Sequence, residues 1–151
     1  MLRFKGLILS LGLFAGLLSA GAALAGNDDI RTYGFKTAME DPVFLERAPK
    51  GVKLYFADEP VTVKSEIGPT KSMRKRPTPA RKTPVSTACM TTARDALIAM
   101  ALDAEKKGGN AVIGIRSVTD DQVSDSRTSY NCAVGAQMLG VALSGTIATV
   151  E

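Results

Sequence analysis

The sequence has no histidine and no tryptophan, and only two of its 151 residues are cysteine. Without histidine there is no Ser-His-Asp or Cys-His nucleophile, no imidazole general base, no histidine-held haem and no His-containing zinc site. No G-x-x-x-x-G-K-[ST] motif occurs either. The phosphate cradle of backbone amides and lysine is therefore missing. What remains is ordinary for a globular chain: 45% apolar residues against 23% charged, in a length that suits one domain. There is no internal repeat.

Leu7 to Leu18 is an uncharged apolar run of twelve residues, and it follows Arg3 and Lys5. Small residues take over from Ser19, and Ala23-Leu24-Ala25 matches the A-x-A pattern of a cleavage site. This order of charge, apolar core and small residues predicts a cleavable signal peptide, residues 1–25, with a mature chain starting at Gly26. The competing reading is an uncleaved anchor, because Leu7 to Leu24 reaches the lower limit for a membrane span. No cysteine lies near the cleavage point, so lipid attachment there is excluded. The expected location is periplasmic or secreted, with no membrane span after cleavage.

Cleavage changes the charge arithmetic. The whole chain has 19 basic and 15 acidic residues, a formal net charge of +4, and two of the basic residues leave with residues 1–25. The stretch 68–84 holds Lys71, Arg74, Lys75, Arg76, Arg81 and Lys82, no acidic residue, and prolines at 69, 77, 79 and 84. Prolines remove backbone donors and like charges repel, so this stretch is expected to be an exposed loop rather than a packed element. A cationic arm would then stand on an acidic body.

Around that loop the pattern is α+β. Gly26 to Asp29 is a polar lead, and Lys36 to Arg47 is weakly helical, with Pro42 suited to a first helical position. Val52 to Phe56 alternates as a strand, Ala57 to Pro60 is a turn, and Val61 to Ile67 adds a short extended piece. Ala93, Ala96, Leu97, Met100, Ala101 and Ala104 form a helical apolar stripe that Gly108-Gly109 ends. Thr92 with Asp95 is a candidate capping pair, and Ser86 an earlier start. Ala111 to Ile115 is an apolar strand, and Asp120 to Ser129 a polar loop. Tyr130 to Leu143 reads as one strand with bends at Gly135 and Gly140, and Ser144-Gly145 breaks it before Thr146–Val150. The expected fold is a small sheet with one main helix, about residues 90–108, packed on one face. If the Val52 and Ala111 strands pair in parallel, the crossover is right-handed. The organisation is thus a signal peptide (1–25), a partly ordered N-terminal extension (26–50) and one domain (51–151).

The run Ala93-Arg-Asp-Ala-Leu97, then Ala104-Glu-Lys-Lys-Gly-Gly-Asn-Ala-Val-Ile-Gly-Ile115, resembles the core of the YbjQ-like family and the C-terminal domain of RcsF, an outer-membrane stress-sensor lipoprotein. Val63-Lys-Ser-Glu-Ile-Gly68 is similar to the short strand that precedes the helix in those proteins. Similarity over residues 50–145 also extends to small exported bacterial proteins that share the Val52-to-Phe56 strand and the Tyr130 to Ala142 end. Proteins of that group carry the label excinuclease ATPase subunit, which implies an ATP hydrolysis this sequence has no phosphate loop to perform. The resemblance implies an RcsF/YbjQ-like α+β fold and a non-enzymatic envelope role through protein or surface contacts. Membrane tethering does not carry over, since the lipidation cysteine is missing.

Cys89 and Cys132 are the first candidates for chemistry. In an exported chain two cysteines most simply form one disulfide. It would close a 44-residue loop, stabilising by about 4 kcal/mol at most. The alternatives are two buried free thiols, or a metal site, to which two thiolates bring only half a tetrahedral shell. The YbjQ-like resemblance implies heavy-metal binding, which here would need a homo-oligomer with ligands from neighbouring subunits. No cofactor is expected. Lys71, Arg74, Lys75, Arg76, Arg81 and Lys82 are candidates for binding an anion or a partner, an envelope protein or an anionic envelope surface. Nucleic acid is not expected, because the stretch has no aromatic side chain on which bases could stack. Asp120, Asp121 and Asp125 lack the glycine and terminal glutamate of a calcium loop. Asp58 and Glu59 are adjacent and point apart, with no acid–base role.

Overall fold

The computed structural model describes residues 28–80 and 82–151. The expected signal peptide, its cleavage point and Arg81 lie outside the described residues. The fold is α+β: a six-stranded sheet with one main helix packed on it.

In chain order the elements are β1 (Asp29–Gly34), α1 (Phe35–Met39), α2 (Pro42–Arg47), β2 (Lys53–Phe56) and β3 (Val63–Pro77). They continue with α3 (Val85–Lys106), β4 (Ala111–Ser117), a 3-10 turn (Thr119–Asp121), β5 (Ser129–Val134) and β6 (Met138–Val150). β6 organises the sheet. Along one flank it pairs antiparallel with β3 over almost its full length. Along the other, Leu139 and Gly140 pair with β5 while the stretch from Leu143 to Ala148 pairs with β4. The sheet therefore splits into two limbs, β5 with β1 and β4 with β2. The Val52 and Ala111 segments do pair in parallel, Lys53 opposite Ala111.

The expected stripe faces the sheet. Ala93, Ala96, Leu97, Met100, Ala101 and Ala104 are all buried, and all but Ala101 join Leu139, Val141, Leu143 and Ile147 of β6 in one core. The alanines let the helix lie close, and each fully buried Leu or Met contributes about 1.5–3 kcal/mol. α1 closes the gap between the limbs: Phe35 stacks 4.3 Å from Phe56 of β2 and 5.3 Å from Tyr130 of β5, centroid to centroid. Asp41 caps α2 by accepting from the Val43 amide at 2.9 Å, with Pro42 at the first helical position. At the far end of α3, Gly108 takes φ +81°. Gly109 N–H then donates to Ala104 O at 2.9 Å, which closes the last turn.

Several expectations are corrected. The largest concerns 68–84: residues up to Pro77 are strand, not loop, and only Thr78–Pro84 connects to the helix. Two features make this tolerable. Strand alternation sends neighbouring cations to opposite faces, and β3 is an edge strand, where proline is accommodated. Secondly, α3 begins at Val85. Thr92 lies inside it, buried, its hydroxyl donating to Ala88 O at 2.7 Å, so it caps nothing. Thirdly, the stretch read as one strand from Tyr130 is a hairpin, β5 and β6, turned at Gly135, and β6 runs unbroken through Ser144-Gly145. Finally, the polar lead ends in β1, with Asp29 opposite Val134.

Candidate functional site

The five basic candidates among the described residues do not form one patch. On β3 the even-numbered residues face α3: Thr70 hydroxyl donates to Asp103 Oδ2 at 2.9 Å and Arg76 Nη2 to Asp95 Oδ2 at 2.9 Å. Asp95 also receives Arg94, whose other amine donates to Asp41 at 3.1 Å and so ties α2 to α3. Arg74 borders a shallow hollow with Arg47, Ile98 and Leu102, and its Nη1 donates to Met73 O at 3.2 Å. Lys82 is exposed in the turn before α3. The odd-numbered Lys71 and Lys75, with Met73 between them, lie on the opposite, helix-free face. Among the described residues neither lysine makes an ion pair.

That face carries a groove of about 230 Å³. One wall is the row Lys71, Met73 and Lys75. The floor is β6, where Ala142 and Gly140 stand opposite Met73 and Lys75 in register. Small side chains here make the trough. At Gly140 a Cβ would lie 3.2 Å from Lys75 Cγ, so the lysine stem lies over the glycine. The far wall is Val118, Thr119, Asp120 and Asp121, with Asp28 and Met138 at one end. Met73 and Met138 are 53% and 44% exposed, a large apolar surface for such a small site.

The acidic wall is held by a buried hydroxyl. Thr119 Oγ1 donates to Asn131 O at 2.8 Å and accepts from Ala142 N–H at 3.0 Å. Val118 N–H donates to Ala142 O at 2.8 Å. The turn is thus fastened to β5 and β6 where the two limbs part. Asp120 and Asp121 take positive φ, 53° and 56°, a conformation that costs of order 1 kcal/mol or more each and persists only where surroundings impose it. The groove therefore presents two ammonium groups on one side and two carboxylates on the other, with a third, Asp28, at one end, across an apolar floor. Such a site can orient a polar extended ligand. Among the described residues no group of three or more Cys, Asp or Glu is placed to hold a metal ion.

Cys89 and Cys132 are joined as a disulfide, Cα atoms 6.0 Å apart, linking α3 to β5. Both are fully buried, and no thiol is left free. Burial, and after it the neighbouring Tyr33, push the Tyr130 hydroxyl pKa up, which keeps this phenol neutral and part of the core. Asp58 pairs with Arg127 at 2.7 Å, which lowers its pKa, while Glu59 accepts from the Phe56 amide. The two carboxylates point apart.

Sequence reasoning named Lys71 and Lys75 but not Met73 or Met138, and it weighed Asp120 and Asp121 only as a calcium loop. The signal was present in the alternation Lys71-Ser72-Met73-Arg74-Lys75, which the surrounding prolines obscured. A comparison of the chain with protein-family models and with curated proteins finds no match.

Proposed function

We propose that this chain is an exported, non-enzymatic envelope protein of the RcsF/YbjQ-like kind, acting by contact through the helix-free face of its sheet. The observation that carries the reading is the Lys71–Met73–Lys75 row beside the groove: two unpaired cations and an exposed thioether, aligned by one strand. Supporting it, the buried disulfide suits an oxidising compartment, and none of the described helices is long and apolar enough to cross a membrane. The N-terminal charge, apolar and small-residue order supplies the route of export.

The test is a photoreactive amino acid introduced in place of Lys75, and separately of exposed Glu105 on α3, with irradiation of intact cells. The expected result is a discrete covalent adduct from position 75 and none from position 105. Equal labelling from both positions would remove the case for this face. The mass of the purified protein reads the export step at once, since cleavage before Gly26 leaves a mature chain that begins there.

A further inference from the structure

The edge of β3 has a structure of its own, apart from the face it presents. Among the described residues β3 pairs on one side only, with β6. Thr78 N–H donates to Gln137 O at 2.8 Å, and the register from Gly68 to Pro77 is unbroken. Backbone groups alternate along a strand. Even-numbered residues of this stretch therefore bond to β6, and odd-numbered ones direct N–H and C=O to the open edge. Pro69 and Pro77 are both odd. Neither removes a bond to β6; each removes a donor from the edge.

What remains between them is a short window whose outward donors and acceptors belong to Lys71, Met73 and Lys75. We propose that this window is a strand-addition site for an acidic, extended segment of a partner protein. The proposal rests on the contact reading above and adds the partner's chemistry and mode of binding. Main-chain pairing supplies affinity in such sites and alternate side chains supply selectivity. On the groove side, an added strand sets its side chains beside Lys71, Met73 and Lys75, which favours acidic residues flanking an apolar one. On the other side they lie next to Arg74 and Arg76. Arg74 now donates to Met73 O, the central acceptor of the window. An incoming N–H takes over that acceptor and leaves the guanidinium for a carboxylate. A second copy of this chain fits poorly: antiparallel pairing of two β3 edges centred on Met73 sets Lys71 against Lys75 at both ends, and like charges directly opposite destabilise. The flanking prolines stop pairing from spreading along the edge.

The experiment uses the disulfide-bonded protein purified after export and a fluorescein-labelled Glu/Val octapeptide with a Glu-Glu-Val-Glu-Glu core, which sets Glu, Val and Glu on one face and Glu alone on the other, read by fluorescence anisotropy. Controls are the Lys/Val octapeptide and a Glu/Val octapeptide with alternate backbone amides methylated. The expected result is saturable binding of the acidic peptide, with methylation weakening it by about tenfold or more, as loss of paired hydrogen bonds requires. Met73→Pro, which removes an outward donor and the thioether but no bond to β6, should weaken binding similarly at an unchanged unfolding midpoint, and more than Met73→Ala, which keeps the donor. If that variant unfolds, the methylated peptide decides alone. Equal binding of methylated and unmethylated peptides would overturn strand addition in favour of charge adhesion. Lysine-dependent sedimentation with phosphatidylglycerol vesicles, without peptide binding, overturns it in favour of a membrane surface, and a dimer abolished by Met73→Pro overturns it in favour of self-pairing. Failure of the peptide alongside a discrete adduct from position 75 would remove this inference and leave the contact face standing.

Discussion

Reducing the Cys89–Cys132 bond should destabilise the domain chiefly through its unfolded state. The two residues are 43 apart in sequence, and releasing a loop of that size returns chain entropy worth about 4 kcal/mol, an upper figure. Both sulfurs are fully buried between α3 and β5, where reduced thiols still fit as small apolar groups, so native packing changes little. The measurement is urea unfolding of the same protein with and without reductant, with mass confirming the gain of two hydrogens. The midpoint should fall, and the slope should rise, because the unlinked chain exposes more surface on unfolding. In thermal unfolding the loss corresponds to roughly 10 °C or more for a domain of this size. Since neither sulfur meets solvent, reduction under native conditions should proceed only as fast as the structure opens. Identical midpoints for the fully reduced and oxidised forms would refute the reasoning, and rapid reduction without unfolding would refute the burial.

Two further perturbations test the packing and the charges. At Gly145 an added Cβ would meet Val112 Cγ1 at 2.9 Å and Ile113 O at 3.1 Å, whereas at Gly68 nothing lies within 4 Å. Gly145→Ala should therefore cost about 1–3 kcal/mol in urea unfolding and Gly68→Ala close to none; equal effects would refute the close approach of β4 to β6. For Asp41, burial works to raise the pKa, but the Arg94 and Val43 hydrogen bonds outweigh it and the net shift is downward. Asp103 is lowered by Lys107 and, against burial, by Thr70. Folded pKa values below the unfolded ones stabilise above the ordinary carboxylate range, about pH 4, and that stability is lost as pH falls through the folded values. The unfolding midpoint should be level from neutral pH to about 5 and fall below about 4, and Asp41→Asn should be less stable at pH 7 yet converge with the parent in acid. A constant difference across that range would show that the charge of Asp41 is not what matters.

The helix was legible because its burial is one-sided and its residues are apolar. Its first two turns were not, because Thr92 reads as a cap yet behaves as a core residue once its hydroxyl is satisfied by Ala88 O. β3 was illegible for a deeper reason. Its inward positions are Thr70, Ser72 and Arg76, so the usual apolar alternation is absent. What holds it is a ladder to β6 and two side-chain bonds, to Asp103 and Asp95, from a helix that follows it in the chain. None of that is local to residues 63–77. The candidate site suffered accordingly. Six cations were visible as a cluster in sequence, and the pleat separates the four that lie on β3, leaving Lys71 and Lys75 to share a face with side chains from Met138 and from the turn at Asp120 and Asp121. Likewise Gly135 carries no Asn-Gly or Asp-Gly signature, so a hairpin read as a bend.

β6 follows every other strand in the chain, and it is the strand on which β3, β4 and β5 all depend. A chain delivered N-terminus first, from a ribosome or across a membrane, therefore cannot close its sheet element by element. β1 can pair with β5 and β2 with β4 beforehand, but β3 has no strand partner until β6 arrives, and these contacts span much of the sequence. High sequence separation of this kind slows folding. It also leaves β3 and the two limbs of the sheet unjoined until β6 has emerged. Assembly is thus ordered by arrival, and the strand that arrives after the others is the one that commits the fold.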